Sequence, residues 1–273
     1  MRTQTQKAEA FRALHARKQA FIIPNPWDIG TARMLARLGF ESLATTSAGF
    51  AFSAGVLDNQ VGRDRMLEHV TEIVAATDLP VSADLENGFG DDPKTVAETI
   101  RLAAAAGVAG GSIEDSIDRP GEKVYELAHA VERVRAAAEA ARSLPFPFTL
   151  TARAENYLVG IPDLKDTIRR LQAYQEAGAD VLYAPCITTH DEITAVVRSV
   201  DRPVNFLMGT QPQRFTLDEL SEMGVRRVSV GSALSMAALG AFLRAAREMR
   251  QTGTFTYTQE AAGFKEISDL LRS

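Results

Sequence analysis

Short apolar runs rich in valine, isoleucine and leucine recur along nearly the whole chain, separated by amphipathic segments. Within the runs, apolar and polar positions do not alternate, which is the pattern of strands buried on both faces of a parallel sheet. The predicted strands are Phe21–Pro24, Ser42–Thr46, Val81–Asp84, Gly111–Glu114, Phe148–Arg153, Val181–Ala184, Val204–Leu207 and Arg227–Val230.

The segments between these runs carry apolar residues at helical spacing and ordinary helix boundary signals. Asp92 and Pro93 suit an N-cap and a first helical position, and Gly39 and Gly178 follow helices where a left-handed residue ends them. The predicted helices are Ile29–Leu38, Arg63–Thr77, Thr95–Ala106, Glu122–Ser143, Leu164–Ala177, His190–Ser199, Leu217–Met223 and Ala233–Met249, with a further helix over Thr258–Leu271.

Strand and helix follow each other in eight units, which predicts an α/β fold. The phrases "LARLGFESLATTS", "YQEAGADVLYAPC" and "LSEMGVRRVSVGS" share a helix end, a glycine and a strand, and so form a weak internal repeat. Such alternation favours right-handed βαβ units, and eight of them favour a closed (β/α)8 barrel over a doubly wound sheet. Because no linker rich in proline or serine interrupts the chain, we predict one domain over residues 1–273.

The composition of the chain limits the kinds of partner and the cellular location that we expect. The chain has a net charge of −5 and no run of lysine or arginine, which argues against nucleic acid or an anionic membrane as a partner. The single cysteine, Cys186, excludes an internal disulfide and fits a reducing cytoplasm. Residues 1–19 lack the apolar region of a signal peptide, and no apolar run approaches the roughly 18 residues of a membrane span. We therefore expect a cytoplasmic protein.

Acidic residues follow the central predicted strands. Asp84 and Glu86 come at the end of the third strand, on alternate positions that share a side, Glu114 ends the fourth, and Asp58 follows the second. A single acid at a strand end is usually a helix cap or a surface ion pair, but several at the catalytic mouth of a barrel favour a functional site. Crowded carboxylates repel each other unless a cation neutralises them. Since no histidine joins the cluster, its oxygen ligands suit Mg²⁺ or Mn²⁺.

Other strand ends carry further candidates. Arg153, at the end of the fifth strand, is predicted to supply a fixed positive donor to a developing oxyanion. Glu155 and Asp115 either hold Arg153 in place or contact a water on the metal. Trp27, after the first strand, either packs at the rim of the barrel or forms a platform for the substrate.

Five sequence motifs then resemble those of one enzyme superfamily. "ADLENGFG" at 83–90, "GSIED" at 111–115, "LTARAEN" at 150–156, and "GFESLATTSAG" at 39–49 with "GVLD" at 55–58 are similar to motifs of the isocitrate lyase/phosphoenolpyruvate mutase superfamily. The likeness is best to its short phosphonomutase-like or 2-methylisocitrate-lyase-like members. It implies a barrel whose last helix is swapped between subunits of a homodimer or homotetramer, with Mg²⁺ held largely through water.

The resemblance also implies roles for individual residues. Asp84 corresponds to the direct metal ligand, and Glu86 and Glu114 to the holders of metal-bound waters. Arg153 corresponds to the arginine that stabilises an enolate. The predicted metal-binding residues are Asp84, Glu86 and Glu114, the catalytic residues are Arg153, Glu114 and Asp58, and the substrate-binding residues are Trp27, Thr46, Ser47, Ala48, Asp84 and Arg153.

The chain departs from the superfamily pattern in two places. Glu86 replaces the usual second aspartate, and the Lys-Lys-Cys-Gly-His segment of true lyases is missing after Asp115. A compact substrate that needs no protein acid therefore fits best, such as an oxaloacetate-like acid that loses CO2. The leading hypothesis is a Mg²⁺-dependent carbon–carbon lyase or decarboxylase that acts on a small 2-oxo or 2-hydroxy di- or tricarboxylic acid through a metal-stabilised enolate.

Two other functions remain open at this stage. One is P–C bond chemistry, as in a phosphonopyruvate hydrolase or a phosphoenolpyruvate mutase, which needs cations around a phosphonate. After the fourth strand the short loop offers only Arg119 and Lys123 for this purpose. The other is a protein that binds a 2-oxo acid with little turnover, since the superfamily's acid and gating loop are missing.

Overall fold

The computed structural model describes residues 1–119, 121–209 and 215–272. Within them, eight parallel strands form one sheet that curls into a barrel surrounded by helices, and two further strands form a hairpin. The strands are β1 (Phe21–Ile23), β2 (Leu43–Ala44), β3 (Val81–Asp84), β4 (Gly110–Glu114), β5 (Ser116–Arg119), β6 (Glu122–Val124), β7 (Thr149–Arg153), β8 (Val181–Tyr183), β9 (Val204–Leu207) and β10 (Arg227–Ser229). All eight predicted strands are confirmed.

Neighbouring strands of the sheet pair in the order β1-β10-β9-β8-β7-β4-β3-β2. Two hydrogen bonds then link the first and last strands of this order, β1 and β2, through residues in or just after them. Ala44 N donates to Pro24 O at 3.1 Å, and Asn25 Nδ2 donates to Thr45 O at 2.9 Å. The (β/α)8 prediction is thus confirmed, while the exchange of the last helix between subunits stays a prediction. Because all eight strands run in parallel, their carboxyl ends open at one mouth.

Helices occupy the segments between the strands, much as the periodicity predicts. Asp92 caps its helix through Lys94 N at 2.8 Å, with Pro93 at the first position, and Gly178 ends another helix with φ of 109°. The helices are α1 (Gln4–His15), α2 (Ile29–Arg37), α3 (Ser47–Ser53), α4 (Arg63–Ala76), α5 (Pro93–Ala105), α6 (Leu127–Arg142), α7 (Leu164–Ala177), α8 (His190–Arg198), α9 (Leu217–Glu222), α10 (Ala233–Thr252) and α11 (Phe264–Leu271).

Two predicted helices begin in the wrong place. The prediction of a helix over Glu122–Ser143 is wrong in its first turn, because Glu122–Val124 pairs antiparallel with β5 and α6 begins only at Leu127. The tail is not continuous over Thr258–Leu271 either. A 3-10 turn spans Thr256–Glu260, and α11 starts after the extended Gly263.

The sequence analysis missed α1, which closes the lower end of the barrel. Phe11 of this helix packs with Phe21 and Ile23 of β1 in a buried cluster. The Phe11 ring also lies close to Gly110 of β4, where a Cβ would be 3.1 Å from the ring and 2.5 Å from Thr149 O. The analysis also missed the short helix α3, which begins at Ser47 immediately above the mouth.

The outer face of α10 is unusual because it leaves large apolar side chains uncovered. In this helix Ser235 is the only buried residue among those described, whereas Phe242 is 66% exposed and Met236 is 53% exposed. Within the described ranges, no helix is both long enough and apolar enough to cross a membrane.

Candidate active site

Two adjoining cavities open from the mouth of the barrel. The outer one, of about 930 Å³, lies above the strand ends, and the inner one, of about 210 Å³, extends into the barrel. Ser47, Asp58 and Arg153 line both of them, Glu86 and Glu114 line the outer cavity, and Asp84 lines the inner one. The strand ends thus bring together the acids and the arginine that the sequence predicted to meet.

Arg153 is the hub of this cluster. Its Nη1 lies 3.2 Å from Asp84 Oδ1 and 3.1 Å from Glu114 Oε2, while its Nε donates to Glu155 Oε1 at 2.7 Å. Its side chain is only 13% exposed. Although burial opposes it, the attraction of Glu114, Glu155 and Asp84 raises the pKa of Arg153 well above its ordinary value. Arg153 is therefore a permanent positive charge that three carboxylates share.

Asp84 is fixed from two sides. Its backbone N–H donates to Thr45 Oγ1 at 2.8 Å, and its Oδ2 accepts from the backbone N–H of Ser47 at 3.0 Å. The second bond comes from the first turn of α3, so the backbone of that helix anchors the carboxylate. Asp84 thus holds its carboxylate between α3 on one side and Arg153 on the other.

Glu86 stands beyond the end of β3 in an uncommon backbone conformation, with φ of 50°. The strand ends at Asp84, so the two acids reach the mouth through a left-handed turn and not through extended alternation. Glu86 is 6% exposed, and its Oε1 has no hydrogen-bond partner among the described residues. Burial, followed by the charges of Asp84, Asp58 and Glu114, raises its pKa to about 8.

Burial and neighbouring charges also raise the pKa values of the other acids at the mouth, Glu114 and Asp58. Burial is the largest cause of the raised pKa of Glu114, and the charge of Asp84 adds to it. Loss of hydration and then the charge of Asp84 raise the pKa of Asp58, although a hydrogen bond with Ser47 opposes them. Arg153 divides its charge among three acidic partners, and a further cation would relieve the remaining repulsion between the carboxylates.

The donor set fits a hard divalent cation. Carboxylate oxygens are the candidate metal ligands at the mouth, and the four histidines lie on α1, α4, α6 and α8. In the described part of the chain, no three acidic, imidazole or thiolate groups converge closely enough to enclose an ion by themselves. A cation there would keep several waters, as Mg²⁺ usually does. The unpartnered Glu86 Oε1 is the observation that supports such a group.

The structure separates the roles of Glu155 and Asp115. Glu155 is fully buried, holds Arg153 Nε and has a pKa raised to about 8, chiefly by burial. Asp115 lines neither cavity; its Oδ1 accepts from Glu155 N at 2.8 Å and its Oδ2 accepts from Arg170 and Tyr174. Glu155 therefore positions Arg153, and Asp115 supports Glu155 from behind.

Four of the predicted substrate-binding residues lie around α3. Thr46, Ser47 and Ala48 line the inner cavity, and Thr46 Oγ1 accepts from Gly49 N at 3.2 Å as the cap of the helix. Trp27 is half-buried beside Gly49, and it is not among the described residues that line either cavity. The structure thus places Trp27 at the rim and the other three at the ligand space.

Of the two candidate cations for a phosphonate, the structure describes the side chain of Lys123, which is not among the described residues that line either cavity. Lys123 Nζ donates to Val159 O at 2.8 Å and lines a separate surface cavity. The Arg119 side chain lies outside the described residues. Arg63, which the sequence analysis did not single out, lines the outer cavity 3.8 Å from Asp64.

The sequence analysis also missed the polar wall of the inner cavity. Tyr183, Arg227 and Ser229 line it from β8 and β10. The sequence offered no candidate site residue at the ends of these two strands. Ser82 and Ser112 complete the wall from β3 and β4. The signal lay inside the strands, since Arg227 and Ser229 alternate with Val228 and so share the inner face.

Comparison with known proteins finds relatives whose similarity extends over most of the chain. The sequence profile described as phosphoenolpyruvate phosphomutase matches residues 11–250. A 2-methylisocitrate lyase from Escherichia coli (strain K12) is 30% identical over 261 residues, covering 90% of this chain and 85% of that protein. An oxaloacetate decarboxylase from Pseudomonas savastanoi pv. phaseolicola (strain 1448A / Race 6) is 29% identical over 249 residues, covering 89% and 84%.

A solved structure extends the likeness to the whole architecture. The crystal structure of a "putative lyase/mutase" from Burkholderia cenocepacia J2315 is 64% identical to this chain, with a TM-score of 0.96. The match covers 99% of this chain and 97% of that one.

Proposed function

We propose that this chain, which belongs to the phosphoenolpyruvate phosphomutase family within the isocitrate lyase/phosphoenolpyruvate mutase superfamily, is a Mg²⁺-dependent carbon–carbon lyase or decarboxylase. Its substrate would be a small 2-oxo or 2-hydroxy acid. The observation that carries the proposal is the guanidinium of Arg153 between Asp84 and Glu114, beside Glu86, whose Oε1 has no hydrogen-bond partner among the described residues. The names of the two curated relatives, a 2-methylisocitrate lyase and an oxaloacetate decarboxylase, agree with this class.

Three acids would hold the cation. Asp84 would bind it directly, and Glu86 and Glu114 would bind it through water. The raised pKa values of Glu86 and Glu114 support this assignment, because both carboxylates are destabilised until a positive charge joins them. When bound, Mg²⁺ or Mn²⁺ would act as a Lewis acid on the 2-oxo group.

The chain's own residues account for the rest of the chemistry. Cleavage of the bond at C3 of a 2-oxo acid leaves its electron pair on the oxo oxygen as an enolate. Arg153 stabilises that charge because it is buried, permanently protonated and held in place by Glu155. Thr46, Ser47 and Ala48, which line the inner cavity at the start of α3, hold the substrate's carboxylate. For an oxaloacetate-like acid, C3–C4 cleavage releases CO2, and C3 then takes a proton from solvent to give a pyruvate-type product.

A product assay tests this proposal. Purified protein with Mg²⁺ is incubated with 2-oxo and 2-hydroxy acids of four to seven carbons, and pyruvate-type products are measured. We expect one of them to turn over, and we expect Asp84→Asn to abolish that turnover. Asp191→Asn removes the same charge from a fully exposed position on α8 and is the matched control.

The same assay separates the other two functions. Release of phosphate from phosphonopyruvate, without cleavage of any oxo acid, would favour P–C bond chemistry. Tight binding of an oxo acid without turnover would favour a binding protein. Absence of both binding and turnover would contradict all three functions.

We further propose that the chain forms a homodimer or homotetramer through α10. The support is the apolar face of that helix, on which Leu239 and Leu243 accompany Phe242 and Met236, all at least a third exposed. Surfaces of this kind usually mark a contact with another protein. Light scattering of wild type and of Phe242→Asp tests the proposal; the variant should release monomer.

A further inference from the structure

Arg227 is a buried arginine that takes no part in the cluster around Arg153. It begins β10, is 5% exposed and points into the inner cavity that it lines. Its Nε donates to Asn205 Oδ1 at 2.8 Å. Its Nη1 is buried and has no hydrogen-bond partner in the described part of the chain.

No described carboxylate forms an ion pair with Arg227. Burial is the largest influence on the charged form of Arg227 and disfavours it; Tyr183 favours the charged form and Arg153 opposes it. Burial lowers the pKa of Arg227 to about 10, so the guanidinium is still charged at neutral pH. A buried charge without a counter-charge is strongly unfavourable. A negatively charged ligand beside Arg227 would remove this cost.

The inner cavity connects this charge to the proposed reaction centre. Asp84, Ser47 and Arg153 line one part of the cavity, and Arg227 and Ser229 line another. At about 210 Å³ the cavity is smaller than the roughly 300–1,000 Å³ of sites for drug-sized ligands, so it suits a compact molecule. Ser82, Ser112, Ser229 and Tyr183 place hydroxyl groups among the apolar side chains of its wall, and these hydroxyls can bind polar groups of a ligand.

The geometry points to Arg227 as the residue that binds a second carboxylate of the substrate, remote from the carboxylate and the oxo group at the Asp84–Arg153 end. This inference rests on the proposed function and narrows its substrate class to short dicarboxylic acids. Hydrogen bonds through Asn205 and Ser229 fix the orientation of Arg227 for this role. Asn205 accepts from its Nε, and Asn205 Nδ2 in turn donates to Ser229 Oγ at 2.9 Å.

Two matched probes test the inference without turnover. Malate and 2-hydroxybutanoate share the 2-hydroxy acid end, and a carboxylate in malate takes the place of the terminal methyl group. Binding of each is measured by titration calorimetry with Mg²⁺ for wild type, Arg227→Met and Arg227→Lys. We expect Arg227→Met to weaken malate binding about tenfold or more while 2-hydroxybutanoate changes less than twofold, and Arg227→Lys to recover part of the loss.

A structural role for Arg227 would give a different pattern. If Arg227 only supported the fold, Arg227→Met would lower the melting temperature and weaken both probes alike. We expect its melting temperature to be unchanged or higher, because the variant removes an unpaired buried charge. Equal effects on the two probes, or no binding of malate to wild type, would overturn the inference.

These outcomes are distinct from a failure of the proposed function. Binding of malate that depends on Arg227, without turnover of any acid, would contradict the lyase assignment and leave the subsite standing. Turnover of a 2-oxo acid with no effect of Arg227→Met on the preference for dicarboxylates would contradict the subsite alone.

Discussion

Arg153 and Glu114 occupy paired positions on β7 and β4, and their side chains meet with Nη1 3.1 Å from Oε2. The strand register thus sets the central ion pair of the site, and no flexible loop is needed to bring the two together. Because Nη1 also lies 3.2 Å from Asp84 Oδ1, one guanidinium nitrogen joins acids from two neighbouring strands. The site therefore depends on the planar shape of the Arg153 guanidinium as well as on its charge.

Arg153→Lys should therefore lower turnover strongly although it keeps the charge. Lysine has no planar fork with which to contact Asp84, Glu114 and Glu155 together. We expect kcat to fall by about 100- to 1,000-fold, as is typical when a donor to a developing oxyanion is lost. Steady-state kinetics on the substrate found in the product assay measures the effect. A kcat within threefold of wild type would contradict the role given to Arg153.

Glu86→Gln tests the unpartnered carboxylate. The variant keeps the size of the side chain and removes the charge that we assign to the cation. Affinity for Mg²⁺ should fall by about 10- to 100-fold, the usual effect of losing a residue that orients a metal's ligands. Calorimetric titration of Mg²⁺ measures it, with Glu98→Gln on the exposed face of α5 as a control. Equal affinities in Glu86→Gln and wild type would remove Glu86 from the metal site.

The metal-free protein should lose stability as the pH rises. Glu86 and Glu155 titrate near 4.5 when unfolded, and their pKa values in the folded chain are about 8. Between these values the native state binds more protons than the unfolded state, so the free energy of unfolding decreases with increasing pH. Below about pH 4.5 both states are protonated and the effect vanishes.

Thermal melts between pH 5 and pH 9 check this sign. In EDTA the melting temperature should fall across the interval, and saturating Mg²⁺ should reduce the fall, because the cation favours the ionised carboxylates. A melting temperature in EDTA that rises steadily from pH 5 to pH 9 would contradict the raised pKa values.

Asp115, which supports Glu155 from outside the two cavities, should contribute chiefly to the free energy of unfolding. Asp115→Ala leaves Arg170 without its buried partner and removes acceptors from Glu155 N and Tyr174. Arg170 keeps its ion pair with Asp166 at 2.7 Å, so its charge is not left wholly without a partner. We therefore expect a loss of about 3 kcal/mol, at the lower end of the range for a broken buried ion pair. Urea denaturation measures it. Glu98→Gln, which breaks an exposed pair with Arg101, should cost about 1 kcal/mol or less.

The sequence could predict the barrel and the acid cluster for a simple reason. Buried parallel strands are continuous apolar runs, and in a barrel their ends must meet, so Asp84, Glu114 and Arg153 could be assigned to one mouth. Helix α1 also left a signal that was overlooked. Thr3 and Gln6 form a capping box, and Phe11 and Leu14 follow at helical spacing.

Other features depend on contacts that a linear pattern does not contain. The left-handed turn at Glu86 follows from packing beyond the end of β3, and the β5–β6 hairpin replaces what looked like the first turn of a helix. Polar residues inside three-residue strands are equally hard to interpret. The alternation of Arg227, Val228 and Ser229 indicates that Arg227 and Ser229 share a face, but not whether that face is turned to the barrel interior or to a helix.

The central claim is that a 2-oxo acid and a divalent cation bind together at Asp84, and a thermal-shift titration tests it most directly. Wild type and Asp84→Ala are melted with Mg²⁺ alone, with 2-oxo acids alone, and with both. The account predicts that wild type gains stability from the pair beyond the sum of the separate ligands, and that Asp84→Ala does not. The same cooperative gain in Asp84→Ala, or a gain in wild type that persists in EDTA, would contradict it.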